Sequence, residues 1–482
     1  MKREERIFIR HCQKFGKNDI MRAAEKAAAE AGVPVDGFID WIFSGLVNKY
    51  KEERMDKRLI LENQINALGI RFHNGTVNKP YKEEIEIPEN ILTQIKKMWL
   101  SGAEELGLEL KYPGGCKFIL EGKPVKCIDT KLKLKFNTYD DDSISEIEIP
   151  IAFNPNPRDL WRNIPSDPNI FAFHKPDSDM AYVKVEAEEG EQPKKDIVAA
   201  SQRGRSHAQE GKPRDDDFRL FHDNESGWYV MAVADGAGSA KYSRRGSQIA
   251  CITVVDHCKK MLTDNYEFEN AICQWVNDKE NEEKRTRVTR DVINIVYKGA
   301  VKAHETIRKV AEANEDYKLK DFATTLMFAI CKKYEFGWFI ASFWVGDGAM
   351  AIYDGKDGTV KLLGTPDEGE FSGQTRFLTM PEIFHDKEVI SKRLKMAIVP
   401  DFTALFLMTD GVSDPMFETD RNLNDPAKWA EFYNKIKTGF PEDEIGGVDL
   451  SEDNENSKNQ LLKWLDFWSP GNHDDRTIAI LY

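Results

Sequence analysis

Residues 229–239 read Tyr-Val-Met-Ala-Val-Ala-Asp-Gly-Ala-Gly-Ser, an apolar run that stops at an acidic residue and a glycine. The run has the length and composition of a buried β-strand, so Asp235 is expected at a strand end, on a rigid element but outside the core. The residues that follow, 244–261, carry apolar side chains at near-helical spacing. Because a tight hairpin does not lead into a helix, this Asp-Gly pair predicts more than a turn.

The same pattern occurs twice more, and an acidic pair precedes the last apolar run of the chain. The further pieces are Phe339 to Gly346 before Asp347-Gly348, Ala404 to Thr409 before Asp410-Gly411, and Asp474-Asp475 before 476–481. Acids at the ends of several strands can converge on one point, where they would repel each other and stay protonated unless cations neutralise them. The pattern predicts a carboxylate site for hard divalent cations such as Mg²⁺ or Mn²⁺.

Some acidic motifs of this chain have a simpler interpretation. Asp-Gly is the commonest hairpin signal, and we expect Asp354-Gly355 and Asp357-Gly358 to be turns only. The triplet 215–217 could be solvated surface, as acidic loops commonly are. It lies about 20 residues before Asp235, at the start of a predicted partner strand, which favours its facing the same site.

Bulk properties narrow the functional class. The chain has 482 residues, enough for two or three domains, and its formal charge of −14 argues against a general nucleic-acid binder. It begins without the apolar region of a secretory signal, and no run approaches the roughly 18 apolar residues of a membrane span. We expect a cytoplasmic protein that binds neither nucleic acid nor membrane. Seven cysteines without a CxxC pair favour reduced thiols over a zinc site.

Composition and periodicity divide the chain into four segments. An alanine-rich stretch stopped by glycine and proline predicts helices near the start, and strict alternation at 131–136 and 146–151 predicts two strands. The predicted segments are a helical region 1–60, a mixed β-rich module 61–183, an acidic linker 184–197 and a catalytic domain 198–482.

The order of motifs in 198–482 resembles that of the metal-dependent Ser/Thr protein phosphatases of type 2C. Six motifs carry the resemblance, which does not extend to 1–197: Asp215-Asp216, 234–239, Ala323-Thr324-Thr325, 345–349, 407–414 and 474–477. It implies an α+β fold, an αββα sandwich in which two antiparallel sheets pack face to face between helices. It also implies two divalent metal ions, Mn²⁺ or Mg²⁺, with a third that binds more weakly.

The resemblance assigns a role to each acid. Asp235 would bridge both metals, with the Gly236 carbonyl on the second, and Asp410 and Asp474 would complete the first. Asp215 stands where the family usually has Glu and would reach the second metal through water. Asp216 and Asp414 would be supporting or additional-metal acids, and Asp347 would hold the third metal. A hydroxide bridging the metals would attack phosphorus in line, with no covalent intermediate.

The chain departs from the family pattern at two positions. Many relatives have a histidine, a proposed general acid, where this chain has Ala237; losing a general acid typically costs about 10² to 10⁴ in rate. The arginine that commonly binds substrate phosphate is replaced by Gly211. Arg203, Arg205 and Arg214 are candidates to replace it by bidentate contact, with Arg205 preferred and His207 a further candidate.

Three functions are compatible with these features. The first is hydrolysis of phosphoserine and phosphothreonine in proteins; the others are a catalytically weak or inactive pseudophosphatase that binds phosphoproteins, and a small-molecule phosphatase. Retention of Asp235, Asp410 and Asp474 argues against an inactive site. A cognate Ser/Thr kinase or a regulatory protein is expected to bind through residues 1–183. The segment 364–380 is either a flap that shapes substrate choice or an ordinary polar connection.

Overall fold

A computed structural model of the chain describes residues 57–139, 142–186, 194–364, 366–367, 375–385, 390 and 392–482, with scattered positions between 22 and 49. It divides into two compact units, Met1–Asn156 and Pro157–Tyr482. The helical segment predicted for 1–60 lies almost entirely outside the described residues. Within the part that is described, no helix is both long and apolar enough to cross a membrane.

The first unit is β-rich. Its helices are α1 (57–67) and α2 (Glu89–Leu92), and its strands are β1 (Gly75–Thr76), β2 (Tyr81–Glu86), β3 (Ile95–Ser101), β4 (Leu108–Gly114), β5 (Lys117–Gly122), β6 (Ile128–Thr138) and β7 (Ser145–Asn154). They form two sheets, ordered β1-β7-β6-β3 and β2-β5-β4. The two predicted alternating strands are confirmed as the antiparallel pair β6 and β7. Alternation buries Leu132, Leu134 and Phe136 on one face, while Lys131 and Lys133 form ion pairs across the other.

The second unit alternates strands and helices. Its strands are β8 (Ser178–Val183), β9 (Ile197–Gln202), β10 (Asp217–His222), β11 (Trp228–Ala234), β12 (Leu326–Tyr334), β13 (Gly337–Val345), β14 (Ala349–Asp354), β15 (Thr359–Leu362), β16 (Leu394–Val399), β17 (Ala404–Met408) and β18 (Arg476–Leu481). Its helices are α3 (Arg205–Glu210), α4 (Ser243–Leu262), α5 (Tyr266–Val276), α6 (Glu282–Val292), α7 (Lys298–Glu312), α8 (Asp410–Phe417), α9 (Pro426–Thr438) and α10 (Ser457–Trp464).

Two antiparallel sheets pack between two helical layers, so the predicted α+β sandwich is confirmed. The sheets are ordered β10-β11-β12-β13-β16 and β15-β14-β17-β18-β9-β8. In β11, Tyr229, Met231 and Val233 enter the core between the sheets, whereas the intervening side chains pack beneath α4 and α7. Burial on both faces explains why this strand is an unbroken apolar run.

The boundary between the units differs from the prediction. Strand β8 pairs along its whole length with β9, so residues 157–183 belong to the second unit rather than to the N-terminal module. The predicted linker 184–197 is also not fully solvated, because Val185, Asp196 and Ile197 are buried while Lys184 and Glu186 are exposed. Asp196 is buried and accepts hydrogen bonds from the Tyr182 hydroxyl and the Val185 amide. Its middle, 187–193, lies outside the described residues. The acidic composition of this segment predicted a solvated linker. Composition alone cannot show that Asp196 is buried and accepts hydrogen bonds from other residues.

Strand register gathers the acidic motifs at one end of the sandwich. In the first sheet Asp217 pairs with Ala234, and Leu326 pairs with Val345. In the second sheet Met408 pairs with Ile478. The acids that follow or precede these residues therefore share one edge, where the two sheets meet.

Candidate metal centre

Three of the predicted acids meet at this edge. Asp235, Asp347 and Asp410 each offer a carboxylate oxygen, and these oxygens all lie within 4.8 Å of one another. Asp235 follows β11 and Asp347 follows β13, as the sequence predicted. Asp410 instead is the first residue of α8, and its Oδ1 accepts the Gly411 amide at 2.7 Å. A helix N-terminus favours an ionised carboxylate, which opposes the effect of burial on Asp410.

The glycines of these motifs are required by close backbone packing. A Cβ on Gly236 would lie 2.7 Å from the Asp215 carbonyl oxygen, and one on Gly411 would lie 1.9 Å from that of Asp475. Any side chain there would push the acidic segments apart. By contrast, Asp354-Gly355 connects β14 to β15, so the prediction of an ordinary turn is confirmed there.

Without a cation, the carboxylates of this cluster repel one another and cannot all be ionised. Burial raises the pKa of both Asp235 and Asp410 well above the usual range, and neighbouring carboxylates add to the effect. Burial and Asp475 raise the pKa of Asp216 to about 7, and burial and Asp347 raise the pKa of Asp414 to about 6. Acids placed so closely stay protonated unless a positive charge joins them.

Three buried carboxylate oxygens of the predicted site accept no hydrogen bond from the described residues. They are Asp216 Oδ1, Asp347 Oδ1 and Asp215 Oδ1, the last of which lies in an ion pair with Arg244. Buried polar atoms are nearly always paired, so an orphaned carboxylate oxygen indicates a missing ion or water. Hard oxygen ligands, raised pKa values and orphaned oxygens together fit Mg²⁺ or Mn²⁺.

The metal-free protein is therefore expected to lose stability as pH rises. Well below pH 4 the carboxyls of Asp216 and Asp414 are neutral in both the folded and the unfolded chain, and the unfolded chain ionises them first as pH rises. Above their folded pKa values of about 7 and about 6, the folded chain must ionise them against their neighbours. In EDTA we expect Tm to fall by roughly 5 °C or more between about pH 5 and about pH 8. Scanning fluorimetry measures this, and Mn²⁺ should restore Tm mainly at the higher pH; a Tm in EDTA that rises over this interval would contradict the assignment.

Asp216 lies deepest in the cluster. It is fully buried, and its Oδ2 accepts hydrogen bonds from the hydroxyls of Thr409, at 2.9 Å, and Thr477, at 2.7 Å. The residue before Asp410 and the residue two places after Asp475 thus supply the donors that fix its carboxyl. Its free oxygen remains available to a cation or its water.

Asp215, predicted to reach the second metal through water, has protein partners. Arg244 Nε lies 3.0 Å from its Oδ1, and His207 Nε2 lies 3.7 Å from its Oδ2. Burial raises the pKa of Asp215, while Arg244 opposes the rise. Its amide donates to Asp475 Oδ2 at 2.6 Å. These contacts fix the orientation of Asp215 toward the strand ends.

Asp474 and Asp475 face different environments although they are adjacent. Burial, with Asp475 next, raises the pKa of Asp474, as expected of a metal ligand without its metal. Burial alone would also raise the pKa of Asp475, but His207 and the amides of Gly204 and Asp215 hold it below the usual value. Conversely, burial alone would lower the pKa of His207, and Asp475 first among the acids raises it to about 9. Asp475 and His207 form a buried ion pair behind the metal ligands.

Two of the arginines predicted as candidates to bind phosphate, Arg203 and Arg205, form ion pairs with acidic residues of the protein. Arg203 contacts Asp177 at 3.0 Å and donates to Asn163 and to the Lys212 carbonyl, so a change of partner would be needed for the phosphate role, which stays a prediction. Arg205 forms a two-nitrogen ion pair with Asp466 and lies over the Trp468 ring. It lines a small notch with Asp474, so only a change of partner would free it for substrate.

Arg214, the third arginine predicted as a candidate to bind phosphate, is buried, with Nε and Nη1 lacking partners among the described residues. Its phosphate role stays a prediction. Thr375 had no role in the prediction. The Thr375 hydroxyl donates to Asp347, which ties the 364–380 segment to the site at this residue. Residues 365 and 368–374 of that segment lie outside the described residues. Sequence spacing could not have found this contact, because it joins residues 28 positions apart in the chain.

Comparison with known proteins identifies the family of the chain. The sequence model of the family Protein phosphatase 2C matches residues 203–466, more than half of the 482 residues. The chain belongs to this family. The phosphatase 2C match covers all the acidic motifs except Asp474-Asp475. No curated protein matches the chain.

Solved structures similar to this phosphatase 2C chain include three bacterial proteins. A bacterial serine phosphatase shares 15% identity over 59% of this chain and 96% of its own, with a TM-score of 0.33. Serine/threonine phosphatase Stp1 from Staphylococcus aureus shares 13% over 62% and 96%, with a TM-score of 0.33. RsbX in complex with magnesium shares 12% over 61% and 98%, with a TM-score of 0.29.

Proposed function

We propose that this phosphatase 2C protein hydrolyses phosphoserine and phosphothreonine in proteins with the help of two divalent cations, Mn²⁺ or Mg²⁺. The observation that carries the proposal is the convergence of Asp235, Asp347 and Asp410 within 4.8 Å, with pKa values of Asp235 and Asp410 raised in the absence of a cation. A site of mutually repelling, partly orphaned carboxylates is costly to keep unless it binds metal.

Each residue has a defined task in this proposal. Asp235, between Asp410 and Asp216, would contact both cations; Asp410 and Asp474 would hold one of them, and Asp347 with Asp414 a third, weaker one. When bound, the cations lower the pKa of a water to generate the nucleophile and neutralise charge on the phosphoryl oxygens. The chain itself fixes the ligands, through the donors of Thr409 and Thr477 to Asp216 and through α8 to Asp410.

Ala237 favours a second candidate, a catalytically weak protein that binds phosphoproteins. The residue is 7% exposed, and its amide donates to the Ala323 carbonyl. An alanine side chain cannot protonate a leaving group, so turnover is expected to be slow, by about 10² to 10⁴ relative to a site with a general acid. Regulation through residues 1–183, and a cytoplasmic location, complete the proposal.

Phosphate release from matched peptides tests the proposed activity. We expect phosphoserine and phosphothreonine peptides to be hydrolysed with Mn²⁺ or Mg²⁺, more slowly with the phosphotyrosine version, and not in EDTA. The same assay on Asp410→Asn should show no metal-dependent release. Turnover of p-nitrophenyl phosphate without turnover of any peptide would favour a small-molecule phosphatase. Folded protein that binds peptide but releases no phosphate would favour the binding function.

A further inference from the structure

A segment outside the family match lies against the candidate metal centre. We call residues 157–177 the strap; it precedes β8 within the second unit. Along its length, the Ile164 amide donates to the Ala208 carbonyl at 2.9 Å, and Arg244 Nη1 donates to the Ala172 carbonyl at 3.2 Å. The Arg203 amide donates to the Asp177 carbonyl at 2.8 Å. The strap therefore contacts α3, α4 and the start of the catalytic motifs.

Lys175 is the strap residue nearest the acidic pair. Its side chain is 5% exposed, and its Nζ lies 2.6 Å from the Asp216 carbonyl oxygen and 3.3 Å from that of Asp215. The same Nζ lies 3.0 Å from Asp217 Oδ2 and 3.2 Å from Ser247 Oγ. One ammonium group thus contacts three consecutive acidic residues, Asp215 and Asp216 through their backbone carbonyls and Asp217 through its carboxylate.

These contacts act on the backbone that carries the ligands. A charge-assisted hydrogen bond is roughly twice as strong as a neutral one, and burial increases its strength. The Ser247 hydroxyl also donates to the Asp215 carbonyl, so the acidic pair is fixed from the strap and from α4 together. With the backbone held, Thr409 and Thr477 can orient the Asp216 carboxyl toward Asp235.

We propose that Lys175 is a positioning residue for the metal centre, holding Asp215 and Asp216 where their carboxyls support the bound cations. The proposal rests on the proposed function, since it presumes that the centre binds divalent metal. The direction of the expected change in Mn²⁺ affinity distinguishes a positioning role from a purely electrostatic one. Loss of a positive charge near the site would, by electrostatics alone, tighten cation binding, whereas loss of positioning weakens it.

The test compares Lys175→Met with a matched variant, Lys195→Met. Lys195 is also a largely buried lysine that donates to a backbone carbonyl, that of Phe402 at 2.7 Å, but at the opposite end of the sandwich. Mn²⁺ binding is measured by calorimetry on the metal-free full chain, and turnover is measured against Mn²⁺ concentration. Lys175→Met is expected to bind Mn²⁺ about 10- to 100-fold more weakly, as when outer partners of metal ligands are lost. Lys195→Met should keep the wild-type affinity.

The outcomes separate this proposal from the proposed function. Unchanged or tighter Mn²⁺ binding by Lys175→Met, with an active wild-type protein, overturns the positioning role alone. Wild-type protein that binds Mn²⁺ but releases no phosphate overturns the proposed function. In that case the Mn²⁺ affinity of Lys175→Met, measured by calorimetry, still tests the positioning role. Wild-type protein that binds no Mn²⁺ overturns both. If Lys175→Met does not fold, Ser247→Ala replaces it, with a weaker loss of Mn²⁺ affinity expected and an unchanged affinity contradicting the proposal.

Discussion

Asp235→Asn is expected to lower Mn²⁺-dependent phosphate release by about 10³-fold or more. Loss of an outer partner of a metal ligand already costs roughly 10- to 100-fold, and Asp235 is one of the three acids whose oxygens converge within 4.8 Å. The amide removes the charge that neighbouring cations would share, while the fold is kept because the Asp235 backbone still bonds to Thr324 and Thr325. Mn²⁺ affinity by calorimetry and turnover of a phosphothreonine peptide should fall together.

Asp354→Asn is the matched control. It changes the acid of another Asp-Gly pair, whose Oδ1 accepts the Lys356 amide in the turn after β14, a bond that asparagine can keep. Its turnover and metal affinity should equal those of the wild type. Asp235→Asn with wild-type turnover in Mn²⁺ would show that the acids do not form the catalytic centre.

Asp475→Asn is expected to destabilise the fold by about 3–5 kcal/mol, because it leaves the buried His207 charge without its partner. The two Asp475 oxygens accept the amides of Gly204 and Asp215, each at 2.6 Å, and the His207 ring at 3.1 Å. An asparagine offers one acceptor oxygen and would direct its NH₂ group at one of these donors. In scanning fluorimetry, Tm of the metal-free protein should fall by roughly 5–10 °C.

The neighbouring variant Asp474→Asn should behave in the opposite way. It removes one repelling acid from the metal-free site, so Tm in EDTA should stay level or rise, while Mn²⁺ should no longer stabilise the protein as it does the wild type. Equal losses of Tm in both variants would contradict the division between a metal ligand and a buried structural acid.

The acidic strand ends could be predicted from the sequence because the information is local. An apolar run, an acid and a glycine place Asp235 and Asp347 at strand ends without knowledge of the rest of the chain. The different environments of Asp474 and Asp475 could not be predicted in this way. Both precede β18, and only the approach of His207, Gly204 and the backbone of Asp215 makes one of them structural.

The arginines and the strap show more clearly what cannot be predicted from sequence composition. Arg203 and Arg205 were predicted as candidate phosphate ligands, and the sequence could not show that they pair with Asp177 and Asp466, which lie in other parts of the chain. Residues 157–177 have the composition of a loop, yet they carry Lys175 to the backbone of the acidic pair. Long-range pairing of charged groups leaves no period or local spacing in a sequence.

Anomalous X-ray scattering from crystals grown with Mn²⁺ tests the central claim most directly. The metal-centre assignment predicts two strong peaks about 3.5 to 4 Å apart, both within coordination distance of Asp235, with Asp410 and Asp474 at one of them. A peak at Asp347 and Asp414 would be the third, weaker ion. Crystals saturated with Mn²⁺ that show no peak at Asp235 would contradict the account.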